Sequence, residues 1–263
     1  MISRLRLHAA STDIYDVTCN GAADGKVTVT PQGGVEAYSY AWYNVADMSA
    51  VISMLSEAAN LEPGAYRANV TDANGCTLQT EVHTVIQPEA LTISYTKDDV
   101  AIYGEATGQI AVTPAGGTPA YTYLWTSGPS ITDANKHDAV IVNLLAGDYF
   151  IEVTDANGCV VSEHIVITEP TVLEVTETIK NVVCNGTATG GINLSVSGGK
   201  EPYTYAWTSD KGYSASTTDI LNIVADKYTV IVTDANGASV TRTFEVTEPD
   251  ALTAVLDPAA SVL

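Results

Sequence analysis

Apolar and polar residues alternate along most of this 263-residue chain. Segments such as "KVTVT" (26–30), "QIAVT" (109–113) and "YTVIVTD" (228–234) have a period of two and are rich in Val, Ile, Thr and Tyr. That pattern predicts β-strands with one buried face. One stretch, "ADMSAVISMLSEAAN" (46–60), is helix-like instead, and we interpret it as an elaborated crossover between two sheets.

The same order of patterns recurs about every 80 residues, so the chain is built from internal repeats. Three tryptophans lie 83 and 82 residues apart: Trp42, Trp125 and Trp207. A glycine pair precedes each tryptophan, and a heptapeptide follows it, "VTDANGC" at 70–76 and 153–159 and "VTDANGA" at 232–238. We therefore predict three domains, named here the first, second and third repeat: residues 1–89, 90–170 and 171–249.

Each repeat contains six or seven short predicted strands separated by glycine and proline turns. This pattern predicts a two-sheet antiparallel sandwich of the immunoglobulin-like (Ig-like) class. The linkers are a proline with one or two residues, and proline restricts both its own φ and the residue before it. The predicted fold is all-β: a tandem array of three Ig-like antiparallel β-sandwich domains with short stiff linkers. At ~3.3 Å per strand residue, such a rod would span on the order of 110 Å.

Aromatic residues occupy two repeated positions. A Tyr-x-Tyr-x-Trp strand places three rings on one face, which suits either a stacking platform for sugars or a sandwich core. The chain has only two phenylalanines, so these rings are needed as core, and we favour that interpretation. A second set opens the strand before each heptapeptide and matches a tyrosine corner, whose hydroxyl bonds an upstream backbone group. The second set is Tyr66, Tyr149 and Tyr228.

The heptapeptide carries the residue types of a hairpin turn. Aspartate caps its own turn, asparagine tolerates positive φ, and glycine takes the left-handed position without steric cost. The predicted turn residues are Asp72, Asn74 and Gly75, then Asp155, Asn157 and Gly158, then Asp234, Asn236 and Gly237. Calcium binding by these aspartates is the alternative, but Ca²⁺ takes six to eight oxygen ligands and no DxDxDG spacing supplies them.

The four cysteines fall at two repeat positions: Cys19 and Cys184 occupy the first-strand position, and Cys76 and Cys159 end the heptapeptide. Only the first repeat has both, because Ile102 and Ala238 stand at the other two positions. If the first strand lies beside the last, Cys19 and Cys76 are neighbours. We predict a disulfide between them, worth roughly 4 kcal/mol of unfolded-chain entropy. Cys159 and Cys184 are expected to stay free.

Composition and motifs argue against several functions. Lys and Arg total 11 against 31 Asp and Glu, and a net charge of −20 disfavours nucleic acid and anionic lipid surfaces. The same acidity could recruit divalent cations, so calcium stays open as a cofactor; no other cofactor is expected. There is no CxxC, and the four histidines occupy unmatched repeat positions, so no metal site is predicted.

No segment resembles a membrane anchor or a catalytic motif. No apolar run approaches ~18 residues, so we expect a soluble chain without membrane insertion. The first eleven residues lack the apolar block of a signal peptide. Searches for nucleophile-elbow, metalloprotease, phosphate-binding and dinucleotide motifs find none, and no enzyme is predicted.

The ordered motifs "VxCNG", "GG…PYTYxW", "LxAGxYxVxVTDANGC" and "VTEP" resemble the SprB-repeat family, found in very large cell-surface proteins of Bacteroidetes, including gliding-motility adhesins. The resemblance covers residues 12–250, three times over. It implies an exported, extracellular, surface-displayed adhesin or adhesin stalk, sent out by the type IX route. It carries the family's paired cysteines over to Cys19 and Cys76 only, and the Asp226–Lys227 pair departs from its Ala-Gly.

We therefore expect a non-enzymatic structural or adhesive repeat region of a bacterial surface adhesin or extracellular fibre. Residues 250–263 match the first strand of a further repeat, so the chain is either cut from a longer array or donates this strand to the next subunit of a head-to-tail filament. A second alternative is a glycan- or calcium-binding surface module. The expected partners are neighbouring repeats, identical subunits, and surface glycans or proteins.

Overall fold

The computed structural model describes residues 6–254, and every regular element in that range is a β-strand. The strands of the first repeat are β1 His8–Tyr15, β2 Gly25–Gln32, β3 Ser39–Asn44, β4 Glu57–Leu61, β5 Gly64–Thr71, β6 Thr77–Gln79 and β7 His83–Val85. Those of the second are β8 Thr92–Asp98, β9 Gly108–Ala115, β10 Thr122–Ser127, β11 Val140–Leu144, β12 Gly147–Thr154 and β13 Val160–Ile167. Those of the third are β14 Glu174–Lys180, β15 Gly190–Ser197, β16 Thr204–Ser209, β17 Ser214–Ala215, β18 Ile220–Ile223, β19 Asp226–Thr233 and β20 Ser239–Val246.

Two sheets arise in each repeat. In the first they are β1-β2-β4 and β3-β5-β6, with β7 also paired to β5. In the second they are β11-β9-β8 and β10-β12-β13, and in the third β14-β15-β18 and β17-β16-β19-β20. The described pairings are antiparallel, so the fold is an all-β tandem array of Ig-like antiparallel repeats, as the sequence predicts.

The core of a repeat is filled by one face of each sheet. In the first repeat, Val27 and Val29 of β2 and Tyr66, Ala68 and Val70 of β5 belong to one buried cluster. In β19 of the third repeat, Tyr228, Val230 and Val232 are buried while the residues between them are not. The period of two read from the sequence is therefore the alternation of core-facing and outward-facing side chains.

The described residues group into two compact units. The first takes residues 6–96, 110–141 and 148–165, and the second takes 97–109, 142–147 and 166–254. The division into domains at 89/90 and 170/171 stays a prediction. Residues 250–254 carry no regular element, and the rest of the predicted strand 250–263 lies outside the described residues.

The helix-like segment 46–60 contains no helix. Trp42 N donates to Ser53 O, and Ile52 N donates to Trp42 O, each at 2.9 Å, so the chain runs extended beside β3 before entering β4. Its apolar periodicity does not face the core, because Met54 and Leu55 are 74% and 67% exposed. Between residues 6 and 254 no helix has the length and hydropathy needed to span a membrane.

Backbone hydrogen bonds hold the chain at both linkers. Val17 N donates to Ile86 O at 3.1 Å, which ties the start of the first linker to the first repeat. Gly117 N donates to Glu89 O at 2.8 Å, which ties its middle to the second repeat. In the next linker, Gly199 N bonds Thr171 O at 2.8 Å in the same way. The short linkers are thus held by the backbone as well as by proline.

Candidate functional site

Each heptapeptide folds as a tight turn around its aspartate. In the first repeat, Asp72 Oδ1 accepts from the backbone N–H groups of Asn74 and Cys76 at 2.9 and 2.8 Å. Its Oδ2 accepts from Val35 N at 3.1 Å. Asp155 and Asp234 are bound in the same way by three backbone N–H groups each. The carboxylate therefore joins the turn to the glycine-pair loop that precedes the tryptophan strand.

The glycine pairs make room for these carboxylates. A Cβ on Gly34, Gly117 or Gly199 would lie 2.7 to 2.8 Å from the aspartate Oδ2. Each of these glycines also has φ between 60° and 69°, which side-chain-bearing residues rarely adopt. The loop is closed by the tyrosine immediately before the following strand, whose hydroxyl donates to the other glycine's carbonyl at 2.6 Å. The three bonds are Tyr38 to Gly33, Tyr121 to Gly116 and Tyr203 to Gly198.

The N–H donors stabilise the charged form of the turn carboxylate. The bond from Cys76 N–H is the largest of the effects that hold the pKa of Asp72 below its ordinary value, and that from Thr118 N–H is the largest for the pKa of Asp155. Since three N–H groups already surround each carboxylate, the turn has the geometry of an anion held by amides. A Ca²⁺ ion would have to displace these contacts.

The second turn also binds the first repeat, through a disulfide between Cys19 and Cys159. Their Cα atoms are 5.7 Å apart, within the usual range. Asn157 Nδ2 donates to Thr18 O at 3.0 Å beside this disulfide. The turn of one repeat and the first-strand loop of the repeat before it thus form a contact that we name the joint.

The predicted Cys19–Cys76 disulfide is wrong, and so is the expectation that Cys159 stays free. Cys76 and Cys184 are the free cysteines, and both are exposed. The reason lies in strand direction: Val17 pairs with Ile86, ten residues beyond Cys76, so roughly 30 Å of chain at ~3.3 Å per residue separates Cys76 from the Cys19 loop. First and last strands are neighbours, but the two cysteines lie at opposite ends of the sandwich.

A second joint links the second and third repeats without a disulfide. Asn236 Nδ2 donates to Ala101 O at 2.7 Å, as Asn157 does to Thr18 O. Ile102 and Ala238, which replace the two cysteines, line one cleft there and are both half-buried. The asparagine contact is therefore common to both joints, and the disulfide is an addition to it.

The predicted core aromatics lie inside the sandwiches. Trp42, Trp125 and Trp207 are at most 2% exposed, and each donates its indole N–H to a carbonyl of the crossover, Leu55, Asp138 or Thr217. The hydroxyls of Tyr66 and Tyr228 donate to Glu62 O and Val224 O, four residues upstream. The buried Tyr149 donates to Ser130 Oγ at 3.3 Å. The other strand tyrosines are half-buried against the core, so these stripes do not form an open stacking face.

One buried histidine was not singled out from the sequence. His83 packs against Trp42 with ring centroids 6.4 Å apart and is 7% exposed, and its Nε2 has no hydrogen-bond partner among the described residues. Burial lowers the pKa of His83. Across residues 6–254, no three His, Cys, Asp or Glu side chains are grouped to hold a metal ion.

The repeated sandwiches and their joints define a tandem Ig-like repeat protein. The family model described as the SprB repeat matches residues 11–47, 94–130 and 176–212, so the resemblance to that family is confirmed in three segments of the chain. Each match runs from the first strand through the tryptophan strand and ends before the heptapeptide. These three matches support an extracellular, adhesin-like repeat region.

Several solved structures show some likeness to this chain at low sequence identity. Extracellular domains 3–5 of Drosophila OTK match with 12% identity and a TM-score of 0.27, over 92% of this chain and 97% of that one. The N-terminal eight Ig domains of Down Syndrome Cell Adhesion Molecule match with 9% identity and a TM-score of 0.41, over 95% and 44%. A C-terminal fragment of intimin, solved with its receptor's binding domain, matches with 18% identity and a TM-score of 0.30, over 60% and 64%. A comparison with curated protein sequences gives no match.

Proposed function

We propose that this chain is a load-bearing spacer of a surface adhesin or extracellular fibre, and that the disulfide-bonded joint transmits tension between its first two repeats. The observation that carries the proposal is the disulfide between Cys19 and Cys159, which crosses from the first repeat to the second. Such a bond is of little use to a domain that binds a ligand by itself. It is useful where neighbouring domains must not separate.

The disulfide changes the path of an applied force. A pull on the two chain ends passes from residue 19 directly to residue 159 through the sulfur atoms. The residues between them, which include most of the first two repeats, therefore carry no tension while the disulfide is intact. Extracellular surroundings are oxidising enough for such a bond to persist, which fits the SprB-repeat assignment.

Force spectroscopy on single chains tests this proposal. Since Cys19 and Cys159 are 140 residues apart, full extension of the oxidised chain should fall short of the reduced chain by about 480 Å, at ~3.4 Å per residue. Cys184→Ser is the matched control, because it removes a cysteine outside the bond and should leave the difference unchanged. Equal extension with and without reductant would refute the tension path.

A binding screen separates the spacer from a ligand-binding module. Glycan and protein arrays probed with and without calcium should give no specific ligand for the spacer, because the turn carboxylates are bound by backbone amides and the aromatic stripes pack on the core. A saturable, calcium-dependent glycan signal would favour the module instead.

A further inference from the structure

The two free cysteines occupy the two complementary positions of a joint. Cys76 ends the turn of the first repeat, as Cys159 does in the second. Cys184 occupies the loop of the third repeat, as Cys19 does in the first. The bonded pair is half-buried in its joint, whereas Cys76 and Cys184 are exposed thiols.

The Cys184 loop already has the conformation of the bonded loop. In the bonded loop, Ala22 N donates to Cys19 O at 3.0 Å, and in the free loop Thr187 N donates to Cys184 O at 3.1 Å. The glycine two residues after each cysteine has nearly the same φ, 76° at Gly21 and 74° at Gly186. The asparagines between them donate to the carbonyls of Pro88 and Pro249 at 3.0 and 3.1 Å. The loop therefore needs no rearrangement to receive a turn.

The Cys76 turn likewise has the conformation of the bonded Cys159 turn. Asp72 holds the amides of Asn74 and Cys76 at 2.9 and 2.8 Å, and Asp155 holds those of Asn157 and Cys159 at 2.9 Å each. Both turns place an asparagine amide two residues before the cysteine, where Asn157 bonds Thr18 O.

A cleft beside Cys76 has a counterpart that is part of a formed joint. The cleft is lined by Leu7, Gly34, Asp72 and Cys76. The corresponding cleft in the third repeat is lined by the equivalent residues Leu173, Gly199, Asp234 and Ala238. There, however, Ile102, Tyr103 and Glu105 of the preceding repeat form the other wall. The residues that form this wall in the third repeat's joint are equivalent to residues of the Cys184 loop. That loop could therefore supply the same wall beside Cys76.

We propose that the Cys76 turn of one copy of this chain docks on the Cys184 loop of a second copy, and that the two thiols form a disulfide. The contact repeats the geometry of the Cys19–Cys159 joint, with Asn74 Nδ2 donating to Val183 O of the second copy. Because each copy carries both halves, the link is head to tail and can continue from copy to copy. This goes beyond the spacer function, which one chain can perform alone.

The bond requires an oxidant, for which a low-molecular-weight disulfide or a thiol–disulfide oxidoreductase is suitable. The Cys184 thiolate attacks one sulfur of oxidised glutathione, which forms a mixed disulfide and releases one glutathione thiolate. The Cys76 thiolate of the other copy then attacks the Cys184 sulfur of this mixed disulfide and releases the second glutathione. The two protein thiols lose two protons and two electrons in all, and one glutathione disulfide is reduced to two thiols.

The test uses the full chain with its Cys19–Cys159 disulfide intact. Oxidised glutathione is added at about pH 8 in roughly 0.15 M salt, which screens repulsion between two acidic chains beyond ~8 Å. On non-reducing gels the unmodified chain should form a ladder that reductant collapses to monomer. Mass spectrometry should find a peptide pair joined through Cys76 and Cys184.

Complementary variants test the pairing rule. Cys76→Ser alone and Cys184→Ser alone should each stay monomeric, and their mixture should give dimers only. A matched control chain carries Cys76→Ser, Cys184→Ser and Ser56→Cys, so that its one exposed thiol lies outside the turn. When this control is mixed with the Cys76→Ser chain, no dimer should form. Asn74→Ala in the Cys184→Ser chain should slow dimer formation about three- to tenfold, the effect of one hydrogen bond.

Three results would overturn the proposal. One is an unmodified chain that stays monomeric while its thiols are consumed by glutathione. Another is dimer formation by either single variant as fast as by the mixture, since random oxidation would then explain the ladder. The third is equal dimer formation by the Ser56→Cys control. None of these results bears on the force path through Cys19 and Cys159, so the spacer function is tested separately.

Discussion

At the residue scale, the turn aspartate is the group on which the local structure of each repeat depends. Asp155 accepts backbone N–H bonds from Asn157 and Cys159 within the turn and from Thr118 across the glycine loop. An asparagine there keeps one acceptor oxygen but turns an NH₂ group toward an amide donor. The charged carboxylate is thus required by hydrogen-bond geometry and is not a vacant ligand.

Asp155→Asn is expected to lower the melting temperature by several degrees at neutral pH, with Asp98→Asn, an exposed carboxylate, as the matched control. Because the folded pKa of Asp155 is depressed, its contribution is fully present above the ordinary carboxyl pKa of ~3.9 and is lost as pH falls below it. The melting difference between wild type and variant should therefore shrink below about pH 4. A difference that stays constant down to pH 2 would show that charge is not the cause.

His83 predicts a second acid effect in a different pH range. Its folded pKa is lowered by burial, so the unfolded chain binds the proton first, and stability present above the ordinary histidine pKa of ~6.5 is lost as pH falls through it. Phe244 occupies the equivalent core position in the third repeat. His83→Phe should remove this dependence between pH 7 and 5 and add about 1 kcal/mol or more, because it removes an unpaired buried nitrogen. Chemical denaturation at several pH values measures it.

At the element scale, the strands were predictable because one buried face leaves a period of two in the sequence. β2, β9 and β15 follow that pattern, and glycine and proline turns mark the ends of the strands. Segment 46–60 was less predictable, since its apolar spacing came from a loop with exposed Met54 and Leu55. Asn60, Asn143 and Asn222 share a positive φ near 57° at one repeat position. These three asparagines are not among the turn residues predicted from the sequence.

The contact between the first two repeats was also predictable from the positions of the cysteines. Pairing within repeats leaves a single cysteine in the second repeat and another in the third. Pairing between repeats instead makes Cys19 face Cys159 and Ile102 face Ala238, so that each joint has both cysteines or neither. The predicted Cys19–Cys76 pair is wrong because adjacent strands bring two cysteines together only if their directions place both at the same end, and Val17 pairs with Ile86 instead. Contacts such as Asn157 to Thr18 O could not be predicted, because many exposed asparagines look alike in sequence.

The corrected disulfide makes a prediction about stability. A link across 140 residues removes roughly 5 kcal/mol of unfolded-chain entropy in the loop-closure estimate. Cys19→Ser and Cys159→Ser should each cause a large drop in melting temperature, and the double variant should add little to either. Cys76→Ser, the partner in the original prediction, should have almost no effect. A large drop from Cys76→Ser would restore pairing within the first repeat.

At the scale of the whole molecule, the contacts at the boundaries between repeats recur as the repeats themselves do. Each repeat carries a turn that can contact the repeat before it and a loop that can contact the repeat after it. The asparagine contact occurs at both joints, but only one joint has a disulfide. The asparagine hydrogen bond is therefore common to both joints, and the disulfide adds a covalent bond to one of them.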